Sequence, residues 1–91
     1  MSNVIDNSES NRFELDVEGH ISFIDYQRHG NIITMTHAEV PPALNGRGIG
    51  SELARGALDL VRQRHETVVP RCPFISSYIK RNPVYQPLLA Q

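Results

Sequence analysis

The sequence predicts an α+β (α/β) domain built on a mixed sheet of about four strands, in the element order β-β-β-α-β-α. Three observations support this prediction. Three stretches of alternating apolar residues come first, one long helical period follows them, and a short apolar run then leads into a second helical period. Because a helix lies between the third and fourth strands, we expect that pair to run parallel.

Period-two alternation identifies the first three strands. In residues 12–17 (RFELDV) the apolar residues fall on one face, and residues 18–29 continue as a second strand that ends in a turn. Residues 32–40 (IITMTHAEV) form the third strand, in which strict alternation places Met35, His37 and Glu39 on one face. Two prolines then end this strand. Residues 1–11 are polar and lack an apolar period, so they predict a flexible N-terminal tail before a single domain over residues 12–91.

The helical periods follow the proline pair. From about Gly46 onward, apolar residues recur at helical spacing along one stripe through Leu60, with charged residues on the opposite side. Residues 66–72 (ETVVPRC) predict a short buried strand. Residues 73–82 (PFISSYIKRN) predict a second helix, since Pro73 suits a first helical position and Pro83 ends the pattern.

Length, composition and charge restrict the class of protein. A chain of 91 residues predicts one domain with a thin core, which is compatible with a homodimer. A hydrophobic share of 40% and a charged share of 21% indicate a folded chain rather than a disordered one. The net charge of -1 argues against a nucleic-acid partner, because proteins that bind nucleic acids usually carry a basic excess.

Cysteine and histidine usage argues against disulfides and metals. The single cysteine, Cys72, excludes an intramolecular disulfide, and the four histidines lack the spacing of metal ligands. The polar N-terminus does not resemble a signal peptide, and no apolar run approaches the roughly 18 residues of a membrane span. We therefore expect a cytoplasmic protein with no metal site and no membrane partner.

A glycine-rich loop precedes the first helix. Gly46, Gly48 and Gly50 stand at alternate positions, where free backbone N–H groups and the helix dipole together favour a phosphate. A P-loop does not fit, because Ser51 follows Gly50 with no lysine between them. The dinucleotide fingerprint does not fit either, since its third glycine is missing from the required register.

A third type of phosphate loop does fit. The segment NGRGIG matches the acyl-CoA loop Gln/Arg-x-x-Gly-x-Gly/Ala at Gly48 and Gly50, and it lies between a strand and a long helix as that loop does. The matching segments are residues 36–59 (THAEVPPALNGRGIGSELARGALD), which contain the loop, and residues 68–85 (VVPRCPFISSYIKRNPVY). With these segments the chain resembles the GNAT acyltransferase superfamily, and more narrowly its minimal one-domain N-acetyltransferase-like family. Asn45 departs from the pattern where Gln or Arg is common, and Asn82 departs where relatives often carry His.

The resemblance implies a reduced GNAT fold that uses acetyl-CoA and leaves coenzyme A. It places the parallel strand pair around the acyl-CoA site. The residues implied to bind the cofactor are Val40, Asn45, Gly46, Arg47, Gly48, Ile49, Gly50 and Ser51.

Each catalytic candidate has a functional and a purely structural interpretation. Free cysteine usually packs as a small apolar residue, but a thiol at a helix N-terminus has its anion stabilised, and the resemblance implies that Cys72 accepts the acyl group. His37 is either a satisfied strand residue or, as the resemblance implies, the partner of the cysteine. Glu39 could orient His37 or act as a base, or simply be a solvated strand end. Tyr78 matches the tyrosine that protonates the departing CoA thiolate in many GNAT enzymes, or it packs as an amphipathic aromatic.

Three functions remain open from the sequence. The first is an acetyl-CoA-dependent N-acetyltransferase that acts on a small-molecule or protein amine, either through acetyl-Cys72 or by direct transfer. The second is a module that binds CoA or acyl-CoA with little catalysis. The third is an interaction adaptor in which the glycines only form a turn.

Overall fold

The structure, a computed structural model, describes residues 2–91. Within this range it contains a five-stranded sheet, two α-helices and two short 3₁₀-helices. The strands are β1 (Ile5–Asn7), β2 (Arg12–Val17), β3 (His20–His29), β4 (Ile32–Glu39) and β5 (Thr67–Pro70); the α-helices are α1 (Ile49–Gln63) and α2 (Pro73–Arg81); the 3₁₀-helices are Pro42–Leu44 and Pro83–Leu88. No helix in the described range is long and apolar enough to cross a bilayer.

The strands lie in the spatial order β1-β2-β3-β4-β5. The pairs from β1 to β4 are antiparallel, and β5 pairs with β4 in parallel from Ile32↔Thr67 to Met35↔Pro70. Helix α1 connects this parallel pair, as the sequence predicts. The mixed α+β fold is therefore confirmed, with one strand more than expected.

The extra strand corrects the prediction of a flexible tail over residues 1–11. Met1 lies outside the described residues, but Ile5–Asn7 pairs with β2 and Val4 is buried in the core. The sequence pattern does not show this strand because its main anchor is polar: the side chain of Asp6 accepts hydrogen bonds from Tyr26, Arg28 and Arg64. These donors are distant along the chain, so the polar residues around Asp6, taken alone, have the composition of a flexible tail.

One hydrophobic core joins the sheet to both helices. Helix α1 buries the stripe that its period predicts, including Leu53, Ala57 and Val61. Gly56 on the same helix has a specific packing role, since a Cβ at this position would overlap the side chain of Val4. Most of the remaining core comes from β2, β3, β4, β5, α2 and the C-terminal 3₁₀-helix, with Phe13, Leu15, Ile24, Tyr26, Ile33, Met35, Val68, Ile75, Tyr78, Ile79, Tyr85 and Leu88 buried.

A β-bulge in β4 changes which residues share a face. Tyr26 pairs with Met35 but its neighbour Asp25 pairs with His37, so Thr36 is an extra residue between the two pairs. A bulge of this kind reverses the alternation beyond it. Met35 therefore faces the core, whereas His37 and Glu39 lie on the opposite, outward face of the sheet. The expectation that all three share a face is wrong for this reason.

Strand direction brings three segments to one end of the sheet. Since β4 runs antiparallel to β3 and parallel to β5, the loop after β4, the β2–β3 turn and the start of α2 all lie at this end. The β1–β2 and β3–β4 turns lie at the other end. We call the end that carries the loop after β4 the loop end of the sheet.

Candidate functional site

The loop between β4 and α1 depends on two glycines in the left-handed region. After the 3₁₀-helix, Gly46 has φ 78° and Gly48 has φ 71°, a conformation that side chains with a Cβ rarely adopt. Gly48 is the N-cap of α1 and has no side chain to satisfy the helix N–H groups. The loop therefore leads into α1 and leaves the N–H groups of the first helical turn without a side-chain acceptor from the N-cap residue.

The backbone N–H groups of residues 46–51 are consequently free. The N–H of Asn45 donates to Pro42 at 3.1 Å and that of Glu52 donates to Gly48 at 3.2 Å, but the N–H groups between them find no acceptor within residues 2–91. They stand at the N-terminus of a 15-residue helix, where the helix dipole favours negative charge. This arrangement fits an anion such as a phosphate.

A groove of about 240 Å³ opens at these donors. Every residue that the sequence implies for cofactor binding lines it, with the exception of Arg47. Leu44 and Phe74 also line it, and sequence reasoning did not identify either. The position of Phe74 directly after the matched Cys-Pro pair is a signal that could have indicated it. A Cβ on Gly50 would lie 3.0 Å from Cζ of Phe74, so Gly50 allows the N-terminal ends of α1 and α2 to approach each other.

Two other cavities are larger but lack the groups that would bind an anion. One, of about 280 Å³, lies between residues 2–4 and α1, and another, of about 340 Å³, lies beside β1 on the outward face. Neither contains a helix N-terminus or a run of free backbone donors. We therefore place the candidate site at the loop end of the sheet.

Arg47 points out of the groove to a different partner. Its two terminal nitrogens lie 3.1 and 3.5 Å from the carboxylate oxygens of Glu18 in the β2–β3 turn. The guanidinium lowers the pKa of the Glu18 carboxyl through this hydrogen bond and its charge. Glu18 itself has φ 55°, an unusual conformation for a residue with a Cβ.

Cys72 lies beside the groove but inside the core. It is the N-cap of α2, its N–H donates to Met35 at 3.0 Å, and its carbonyl accepts from Ser76 at 3.0 Å. The residue is only 5% exposed, and it precedes the groove residue Phe74 by two positions. The predicted helix N-terminal location is confirmed, while the thiol packs among apolar neighbours.

His37 and Glu39 lie on the outward face, away from Cys72. Their side chains are 58% and 61% exposed, and His37 Nε2 is 3.6 Å from Glu39 Oε2. The His37 ring is 6.2 Å from that of Phe23, which is on the same face. No hydrogen bond within residues 2–91 joins His37 to the cysteine. The structure brings the two candidates to one end of the sheet but to opposite faces of it.

Tyr78 lies one helical turn after Phe74 on α2. It is 7% exposed, and its ring is 6.0 Å from that of Tyr85. Burial is the main cause that raises the pKa of Tyr78 above its ordinary value. Its hydroxyl makes no hydrogen bond to any other described residue, whereas Tyr85 donates to Asp59 at 2.9 Å. Tyr78 thus holds its proton at neutral pH and has no fixed acceptor for it.

No three metal-ligating side chains gather anywhere in the described range.

Comparison with known proteins agrees with this geometry. A family described as GCN5-related N-acetyl-transferase matches residues 12–88. Protein NATD1 from Gallus gallus and from Mus musculus are each 42% identical over 55 residues, which is 60% of this chain and 50% of each relative. NATD1 from Homo sapiens is likewise 42% identical, over 60% of this chain and 49% of its own length. The match thus spans about half the length of these curated relatives.

A solved structure shows the same fold. The solution NMR structure of a GCN5-like protein from Staphylococcus aureus superimposes with a TM-score of 0.72. The match covers 99% of this chain and 91% of the other at 22% sequence identity, so the likeness establishes the fold rather than a shared substrate.

Proposed function

Because the chain belongs to the GCN5-related N-acetyltransferase family, we propose that it transfers an acetyl group from acetyl-CoA to an amine. The observation that carries this proposal is the row of free N–H groups at residues 46–51, which opens into the groove beside Phe74. When bound, acetyl-CoA supplies an acetyl group that is already activated as a thioester.

The residues of the groove suit the two chemical halves of such a cofactor. The N–H groups of residues 46–51 would donate to pyrophosphate oxygens at the helix N-terminus. Val40, Leu44 and Phe74 supply apolar surface that would exclude water from the acyl arm. Asn45 is exposed at the rim of the groove, so the backbone rather than this side chain provides the main anion contact.

We assign the proton to Tyr78, which follows the groove residue Phe74 by one turn of α2 but does not itself line the groove. As the amine nitrogen bonds to the acetyl carbon, the carbon–sulfur bond breaks and the sulfur must gain a proton. The raised pKa of Tyr78 keeps a proton on its hydroxyl at neutral pH, and no hydrogen bond to another described residue restrains it. The proton that the amine loses passes to His37, to Glu39 or to water at the exposed end of β4.

We favour direct transfer over a covalent acetyl-Cys72. An acetyl group on the thiol would have to fit into a core in which Cys72 is 5% exposed. The histidine that could act as its base lies on the other face of the sheet. Cys72 then contributes packing at the start of α2, while the acceptor amine approaches the groove directly.

Mass spectrometry after incubation with acetyl-CoA tests the route. We expect no acetyl adduct on Cys72, and we expect Cys72→Ala to retain most of the acceptor-dependent turnover. Cys72→Ser provides a second variant in case the smaller side chain weakens the fold. A stable or transient acetyl adduct on Cys72, together with inactive Cys72→Ala and Cys72→Ser proteins that remain folded, would establish the covalent route instead.

A module that binds CoA without catalysis is the second candidate. It is favoured by the exposed outward face, where the side chains of His37 and Glu39 are more than half accessible to solvent and no wall for an acceptor encloses them. Calorimetry with CoA and turnover assays across a panel of amines distinguish the two functions. Binding of CoA without acceptor-dependent turnover would support the module, and turnover with any amine would exclude it.

A further inference from the structure

The ion pair between Arg47 and Glu18 links the glycine loop to the β2–β3 turn. The two terminal nitrogens of the guanidinium each donate to one oxygen of the carboxylate, at 3.1 and 3.5 Å. The two side chains are 45% and 69% exposed, so solvent screens the pair and its net stability is small. Arg47 lies between Gly46 and Gly48, whose positive φ angles form the turn that presents the free N–H groups.

This pair stands beside a site that requires negative charge in its ligand. Arg47 is the one residue of the loop between Asn45 and Ser51 that does not line the groove, because its side chain extends to Glu18. A guanidinium is well suited to bind a phosphate with two hydrogen bonds. Glu18 occupies that capacity and also brings a negative charge to the loop end of the sheet.

We propose that Glu18 limits the affinity of the loop for its cofactor by competing with phosphate for Arg47. The inference rests on the proposed function, since it requires a phosphate-bearing cofactor at residues 46–51. In the free protein the guanidinium is held by Glu18. When the cofactor binds, Arg47 exchanges this exposed carboxylate for a phosphate oxygen, so part of the binding free energy is spent on breaking the ion pair. A weaker complex releases its product more quickly.

Substitution of Glu18 tests the competition by calorimetry with CoA as the probe. Glu18→Gln keeps the size of the side chain but removes its charge, and we expect it to tighten CoA binding about two- to fivefold. We expect Arg47→Gln in the Glu18→Gln background to abolish this gain. The gain should shrink at high ionic strength, because the charges involved are exposed.

Glu9→Gln is the matched control. It makes the same change in net charge, but Glu9 is exposed in the β1–β2 turn at the other end of the sheet. We expect it to leave CoA affinity unchanged. An unfolding curve for each variant checks that all of them remain folded.

The outcomes separate this inference from the proposed function. Unchanged or weaker CoA binding by Glu18→Gln would contradict the competition while leaving the proposed function intact. A gain that persists in the double variant would show simple charge repulsion by Glu18 and would also overturn the role of Arg47. If no variant, the unsubstituted protein included, binds CoA, both the proposed function and this inference fail.

Discussion

At the loop end of the sheet the N–H groups of residues 46–51 have no acceptor within residues 2–91, whereas at the other end three side chains donate to one buried carboxylate. There the carboxylate of Asp6 accepts from Tyr26 and Arg64, each at 2.6 Å, and from Arg28 at 3.3 Å. Arg28 also pairs with Glu66. We call these five residues the Asp6 cluster.

The two regions use polar groups for different purposes. In the Asp6 cluster the Asp6 side chain is 5% exposed, and its donors come from β3 and from the end of α1, so the cluster fixes β1 against the rest of the domain. A buried charge of this kind is tolerated only when it is paired. The loop leaves its donors free, and they remain available to a ligand. The Asp6 cluster therefore stabilises the fold, while the loop end carries the donors to which we assign the proposed cofactor.

Loss of the Asp6 carboxylate is expected to have the largest effect. Asp6→Ala leaves Arg28, Arg64 and Tyr26 without their shared acceptor, so we expect the free energy of unfolding to fall by about 2–3 kcal/mol. Urea denaturation measures this change, and the CoA affinity of the folded protein should stay the same. Glu9→Ala, an exposed carboxylate in the β1–β2 turn, should cost less than about 0.5 kcal/mol. A loss for Asp6→Ala as small as that of the control would contradict the structural role of the cluster.

Tyr78 and Tyr85 provide a second comparison. The Tyr78 hydroxyl has no acceptor among the described residues, whereas the Tyr85 hydroxyl donates to Asp59. We expect Tyr78→Phe to lower kcat at least about tenfold, because it removes the proposed proton donor, while CoA affinity is retained. Steady-state kinetics with a reactive amine provides the measurement. Tyr85→Phe removes the hydrogen bond to Asp59 and should reduce stability by about 1 kcal/mol without lowering kcat. Equal effects of the two substitutions on kcat would exclude a specific role for Tyr78.

Substitution of two glycines with positive φ distinguishes the effect of backbone strain on stability from the effect on CoA binding. Gly48 at φ 71° and Gly30 at φ 60° both have open space where a Cβ would lie, so Gly48→Ala and Gly30→Ala should each cost about 1 kcal/mol of stability through backbone strain. Only Gly48→Ala should weaken CoA binding, since Gly30 lies in the β3–β4 turn at the other end. Thermal unfolding and calorimetry measure the two effects. Equal loss of CoA affinity in both variants would argue against the loop as the binding site.

Alkaline pH tests the environment of the Tyr85 hydroxyl. Burial, followed by the hydrogen bond to Asp59, raises the pKa of Tyr85 to about 12. Because the unfolded chain has the ordinary value near 10, the folded state holds this proton more tightly. The resulting stability is complete below about pH 10 and declines as the pH rises toward about 12. Denaturation curves across this range should show a shallower decline for Tyr85→Phe, and an unchanged slope would refute the linkage.

The sequence by itself determined the main elements and the loop. Apolar periods identified β2 to β5 and both α-helices, and the alternate glycines located the helix N-terminus that lines the groove. These features are readable because they depend on residues close together in the chain. Local residues also placed Cys72 at the start of α2.

Only the tertiary structure decided which side chains meet. The bulge at Thr36 places His37 on the face opposite Cys72, and the residue pattern of β4 does not predict this bulge. The strand β1 depends on Asp6 meeting Arg64, which is 58 positions away, and the pair of Glu18 with Arg47 spans 29 positions. Such contacts arise from chain direction and packing across the whole sheet, and a periodic pattern reports only the local face of a strand or helix.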